Sequence, residues 1–212
     1  MSGQLIVGIH AVRTALKHGA ERIDSLWFDA ARRDRRLRQL VDEARAAGVK
    51  PQASDKATLD RMTSGANHQG VVAHGAMPTS RGESALDELL GALDEAPLLL
   101  VLDGVTDPHN LGACLRSADG AGAHAVITPR DRAGGLTPVV CKVASGAAET
   151  VPFVQVTNLA RTLRHLQDVH RVFVVGTAGE ADSELFQADL TGPLALVMGA
   201  EGEGMRRLTR ET

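Results

Sequence analysis

Between residues 97 and 212, short apolar runs alternate with segments of helical periodicity. The runs fall at 98–102, 125–127, 151–156, 172–175 and 194–198. Helical stretches are expected at 111–118, 139–148 and 158–167. Strands that are apolar along their whole length, spaced by helices, belong to a parallel sheet covered on both faces. Such a sheet binds ligands beyond the carboxyl ends of its strands. In this chain those ends carry Asp103-Gly104, Gly176-Thr177-Ala178-Gly179 and the run from Gly199 to Gly204.

Residues 1–76 read as a separate small α/β unit. Helices are expected at 11–17 and 35–47, stopped by Gly19 and Gly48, with a shorter one ending at Met62 behind a Ser54 or Asp55 cap. Strands are expected at 25–28 and 70–73. Residues 75–84 are rich in turn formers, so 77–96 is taken as a linker with a lead-in helix at 85–93, and 97–212 as the second domain. The net charge of −3 divides unevenly, at +4 over residues 1–76 and −7 over the remainder. That division suggests two units with different partners, although ordinary surface sampling would also produce it. The longest apolar stretch is too short to cross a bilayer, and no secretory signal is visible at the N-terminus. Two cysteines without CxxC spacing favour a reduced, cytoplasmic setting, and eight histidines lack the spacing of a zinc site, so no metal is expected.

The loops suggest the chemistry. The run Gly199 to Gly204 has the backbone freedom to hug a ligand, but it lacks the Lys-Ser/Thr ending of a phosphate loop and the dinucleotide glycine fingerprint. Glu201 and Glu203 would repel a pyrophosphate and suit a cationic, phosphate-free cofactor such as S-adenosylmethionine. A tight turn opening a helix, with acidic residues favoured by its dipole, is the competing reading. Asn110 sits where a helix cap or a ligand contact would. Arg116, amid Ala113, Cys114, Leu115 and Ala118, is either a clamp for phosphate or carboxylate or a residue of the exposed face. Arg32, Arg33, Arg35, Arg36 and Arg38 could follow an RNA backbone or form a solvated helix face. Aromatics make up 2% of the chain, which gives little support to a base-stacking platform. His68-Gln69-Gly70 reads equally as a contact site or a turn before a strand.

Taken together, residues 103–118 closely resemble the first signature motif of the SpoU class of RNA 2′-O-ribose methyltransferases, and residues 196–205 resemble the second. Residues 142–149 and 176–181 are similar to the subgroup that modifies a guanosine ribose in large-subunit (23S) ribosomal RNA. The likeness runs over nearly the whole chain. It implies an α/β trefoil-knot (SPOUT) methyltransferase domain with a mostly parallel sheet, preceded by a small RNA substrate-binding domain. It also implies a homodimer that binds S-adenosylmethionine in the knot and ribosomal RNA as substrate. The family's catalytic positions fall on Asn110, Arg116 and Glu201, and its knot-loop positions beside the cofactor on Thr177, Ala178 and Gly199.

The family's third motif, a Pro-Met strand followed by a Ser-Leu-Asn-x-Ser-x-Ala helix, would come after Glu211-Thr212 and is not in this sequence. The resemblance therefore implies a C-terminally truncated domain whose knot does not close and whose dimer surface is reduced. Two other functions compete with methyl transfer. One is an RNA-binding module without catalysis, and the other a Rossmann-type nucleotide-binding oxidoreductase, which the missing glycine fingerprint disfavours.

Overall fold

A computed structural model describes residues 3–212, which form two compact units meeting between Pro78 and Thr79. The first unit runs β1 (Gln4–Val7), α1 (Ile9–Gly19), β2 (Ile23–Asp29), α2 (Arg35–Ala46), β3 (Pro51–Ser54), α3 (Lys56–Met62) and β4 (Val71–Gly75). Its sheet order is β1-β4-β2-β3, with β4 antiparallel to both neighbours and β2 parallel to β3. Sequence patterning misses β1 and β3, which are four-residue edge strands without a fully buried residue. Asp34 and Asp55 cap α2 and α3 by accepting the Arg36 and Thr58 amides at 2.8 and 2.7 Å. The apolar faces of α1 and α2 bury Val12, Leu16, Leu37, Leu40 and Ala44 against Leu26, Val71 and Ala73.

The turn His68-Gln69-Gly70 is part of this framework. The His68 ring is buried, its Nδ1 accepts the Gly70 amide at 3.0 Å, and its Nε2 lies 3.0 Å from Asp60. The Gly70 bond leaves Nδ1 without a proton, so Nε2–H is the donor to the Asp60 carboxylate. Gln69 Oε1 accepts the Ile9 amide at 3.1 Å, tying the turn to the start of α1. Every polar group of the His68 ring is thus used inside the fold.

The second unit runs α4 (Glu83–Gly91), β5 (Leu98–Asp103), α5 (Pro108–Gly120), β6 (Ala125–Pro129), α6 (Pro138–Ala144), α7 (Ala147–Thr150), β7 (Phe153–Val156), α8 (Leu159–Asp168), β8 (Phe173–Thr177), β9 (Leu194–Gly199) and α9 (Arg207–Arg210). Its five strands are wholly parallel in the order β7-β6-β5-β9-β8. Residues alternate between the two faces. Leu99, Val101, Ala125 and Ile127 pack with Leu86 of α4 and Leu163 and Leu166 of α8. Leu102, Val126 and Phe153 pack with Leu111 and Leu115 of α5 and with α6 and α7. Part of the expected linker also belongs here, because Arg81 pairs with β7 through its amide to Phe153 and its carbonyl to the Gln155 amide.

Two boundaries differ from the sequence expectation. The helix expected over 139–148 is broken in two, because Ser145 and Gly146 adopt positive φ of 53° and 103°. Helix α5 starts three residues before 111, because Asp107 is its cap and accepts the His109 and Asn110 amides at 2.9 and 2.8 Å. Asn110 is therefore released from capping and lies within the first turn.

Gly112 sets how closely α5 and α6 approach. A Cβ at this position would stand 2.7 Å from Val143 Cβ and 2.9 Å from the Val140 carbonyl oxygen. Helix propensity alone makes Gly→Ala stabilising by about 1 kcal/mol. The packing predicts the opposite sign, with Gly112→Ala losing about 1–3 kcal/mol in urea-induced unfolding. A stabilised variant would contradict the tight α5–α6 contact.

Candidate functional site

Strand order reverses at β5 and β9, since the chain leaves β5 toward β6 and returns from the far edge through β8 to β9. The loops after β5 and β9 therefore frame the crevice at which such a sheet takes its ligand. Paired in register at the strand ends are Asp103 and Gly199.

After Gly199 the chain folds back on itself. The Ala200 amide donates to the Gly204 carbonyl at 3.0 Å, and the Gly204 amide donates to the Ala200 carbonyl at 2.9 Å. Gly202 and Gly204 sit at φ +84° and +67°, a region that favours glycine. At Gly199 a Cβ would come within 2.1 Å of the Gly204 carbonyl carbon, so the close return requires glycine there as well. What holds the returning chain is Asp103, which is fully buried. Its carboxylate accepts the Arg206 amide at 2.8 Å and the Arg206 Nε–H at 2.5 Å.

The segment 205–210 also fastens the loop after β8. Met205 packs over Gly176, where a Cβ would meet its Cε at 2.8 Å. Arg210 pairs with Glu180. Its own backbone amide and then Arg210 hold the Glu180 carboxyl below the usual range. Neither Arg206 nor Arg210 was expected from the sequence. The signal for Arg206 lies in Asp103, because a carboxylate ending a buried apolar strand requires a charged or hydrogen-bonding partner.

The resulting cleft has a volume of about 720 Å³ and is lined by Gly104, Asp107, Asn110, Cys114, Gly199 and Glu201, among others. Asn110 Nδ2 donates to Glu201 Oε2 at 3.3 Å across it. Its charged groups are carboxylates alone, so it favours a cation over a phosphate. The Cys114 thiol is pushed up by burial, and Cys141 is pushed up to about 11 by burial and then by the Glu149 charge. Both thiols are therefore protonated at neutral pH and unsuited to nucleophilic attack.

The other expected site residues lie elsewhere. Thr177 ends β8 and Ala178 follows it, across β9 from the cleft, and Thr177 Oγ1 donates to the Val197 carbonyl at 3.2 Å. Neither lines the cleft. Arg116 is exposed on α5, about 120° around the helix from Asn110, with no hydrogen bond or ion pair among the described residues. Beyond β6 and β7 a second opening of about 530 Å³ is lined by Asp131, Arg132, Arg206 and Arg207 together with neighbouring residues, and it is predominantly basic. In the N-terminal unit all five arginines between 32 and 38 are exposed, and Arg32 pairs with Asp34 at 3.0 Å.

Residues 97–212 match the model of the SpoU rRNA Methylase family, and residues 5–80 match RNA 2'-O ribose methyltransferase substrate binding. The 23S rRNA (guanosine-2'-O-)-methyltransferase RlmB of Ralstonia nicotianae is 59% identical over 209 residues, covering 99% of this chain and 83% of that relative. The protein of the same name from Shewanella oneidensis is 58% identical, over 98% and 83% respectively. Among solved structures, the SpoU methyltransferase AviRb from Streptomyces viridochromogenes, in complex with AdoMet, aligns with a TM-score of 0.74 at 25% identity. That alignment covers 99% of this chain and 78% of AviRb. An AdoMet-bound rRNA methyltransferase from Sinorhizobium meliloti shares the fold, with a TM-score of 0.73 at 24% identity over 100% and 76%.

Removing the Arg206 side chain would strip one charged hydrogen bond from a carboxylate that water does not reach. Arg206→Ala is expected to lower the unfolding free energy by about 1.5–3 kcal/mol, measured by chemical denaturation. A change within experimental scatter would show that Asp103 does not depend on it.

Proposed function

Because this chain belongs to the SpoU rRNA methylase family, we propose that it transfers a methyl group from S-adenosylmethionine to the ribose 2′-hydroxyl of a guanosine in 23S ribosomal RNA. The observation that carries the reading is the cleft beyond β5 and β9, whose charged groups are Asp107 and Glu201. A cofactor bearing a sulfonium and an ammonium fits that donor set, whereas a pyrophosphate would be repelled. Such a cofactor supplies the methyl group. Gly199 and Glu201 would hold it in the cleft, while Thr177 and Ala178, which the resemblance also places beside the cofactor, lie outside the cleft lining.

The substrate hydroxyl is a poor nucleophile until its proton is hydrogen-bonded or removed. A guanidinium cannot accept that proton, since it stays protonated across the working range. Arg116 is therefore assigned as a clamp on the adjoining phosphate that also stabilises developing alkoxide charge. It is exposed and has no side-chain partner among the described residues, which leaves its donors for substrate. Asn110 orients the ribose, and Glu201 holds Asn110 by the bond across the cleft. The exposed arginines on and before α2 dock RNA by charge. A homodimer comes with the family resemblance. A cytoplasmic setting agrees with two free cysteines and with a ribosomal substrate.

The test is transfer of labelled methyl from S-adenosylmethionine to unmethylated large-subunit RNA. With the family's third motif joined to the chain, label at a nuclease-resistant ribose linkage is expected, and Arg116→Ala should abolish transfer while sparing cofactor binding. Undiminished turnover in that variant would remove Arg116 from the mechanism. RNA binding without transfer would favour the non-catalytic module, and NAD binding without S-adenosylmethionine binding would favour the oxidoreductase. RNA affinity should also fall steeply with salt, and Arg35→Ala with Arg36→Ala should flatten that dependence by about two in log–log slope. An unchanged slope would contradict docking by this helix.

A further inference from the structure

A second cluster of chemistry lies on the α4–α8 face of the sheet. Asp87 Oδ1 stands 2.8 Å from His165 Nε2 and 3.0 Å from His170 Nε2, and the ligating atoms of the three residues lie within 4.8 Å of one another. The histidines are five positions apart and Asp87 is 78 positions upstream, so no sequence spacing announces the group.

The backbone supporting all three residues is fixed by buried contacts. On α4, Asp87 follows Leu86, which is in the core with Leu90. On α8, His165 adjoins the buried Leu166. The chain then turns sharply, with Arg171 at φ +55° and the Val172 amide donating to the Leu166 carbonyl at 3.0 Å. That turn brings the His170 ring edge-on to His165, at 5.5 Å between centroids and 77° between planes. One helical turn earlier, Glu83 accepts the Thr157 amide at 2.8 Å and pairs with Arg161 at 3.3 Å, which sets the register of α4 against α8. A cavity of about 180 Å³ opens beside the cluster, lined by Glu83, Leu86, Asp87, Arg161, Thr162 and His165.

We propose that Asp87, His165 and His170 form a binding site for a divalent transition-metal ion of the zinc class. Two imidazole nitrogens and one carboxylate suit zinc, cobalt or nickel and disfavour magnesium or calcium, which take oxygen ligands. With both imidazoles neutral the cluster carries one negative charge, which attracts a dication. On binding, each imidazole keeps its single proton by moving it from Nε2 to Nδ1, and both Nε2 lone pairs turn to the metal. Water completes the coordination, because three protein ligands leave a fourth position open. The site joins α4 to the end of α8 and stands apart from the cleft beyond β5 and β9.

Tag-free protein is titrated with zinc by calorimetry and with cobalt by visible absorption. One zinc per chain is expected, with visible cobalt bands of a nitrogen and oxygen ligand set. His165→Ala and His170→Ala, each checked for native circular dichroism, should weaken zinc binding at least about tenfold. Zinc should also raise the thermal midpoint of the wild-type chain and leave the two variants unmoved. Unchanged affinity in both variants, or no binding at millimolar zinc, would overturn the proposal and leave a hydrogen-bonded surface cluster.

Discussion

The ion pair between Asp103 and Arg206 spans 103 positions of chain and fastens the end of β5 to the segment that follows β9. A carboxylate buried at the end of an apolar strand is costly unless its oxygens are satisfied. Here the Arg206 amide and Nε–H satisfy them, and the chain after Gly199 must fold back to deliver both. The glycines at 199, 202 and 204 make that return possible, and the carboxylate holds it in place. From this arrangement follow the cleft, the position of Glu201 opposite Asn110, and the attachment of the β8 loop through Met205 and Arg210.

Charge is sorted by location. The cleft beyond β5 and β9 is acidic, the opening beyond β6 and β7 is basic, and the exposed arginines of the first unit are basic again. A sulfonium cofactor and a polyanionic substrate make opposite demands, and this sorting meets both. Arg206 takes part in both regions, since its Nε–H is spent on Asp103 while the residue also lines the basic opening.

The parallel sheet of the second unit was legible because its strands are continuously apolar, and β5, β6, β7, β8 and β9 all lie where such runs were read. The edge strands β1 and β3 were not, since four residues with one half-wet face carry almost no periodic signal. Helix α5 begins before its apolar periodicity does, because its first turn, opened by the Asp107 cap and Pro108, carries no buried apolar residue before Leu111. Asn110, Glu201 and Gly199 meet at one cleft, whereas Arg116, Thr177 and Ala178 stand outside it. Long-range pairings such as Asp103 with Arg206, or Asp87 with His165 and His170, arise from topology. Local pattern shows that Asp103 needs a partner, but it does not show which residue supplies one.

The claim on which the account turns is that the folded-back chain after β9 builds the cofactor cleft. Calorimetric titration of S-adenosylmethionine into the wild-type chain and into Gly199→Ala tests it most directly. A methyl group at 199 would collide with the backbone of Gly204 and Met205 and force the return open. The account predicts measurable binding to the wild type and at least about tenfold weaker binding to the variant, a loss of 1.4 kcal/mol or more. Equal affinity in the two, with the variant folded, would contradict it.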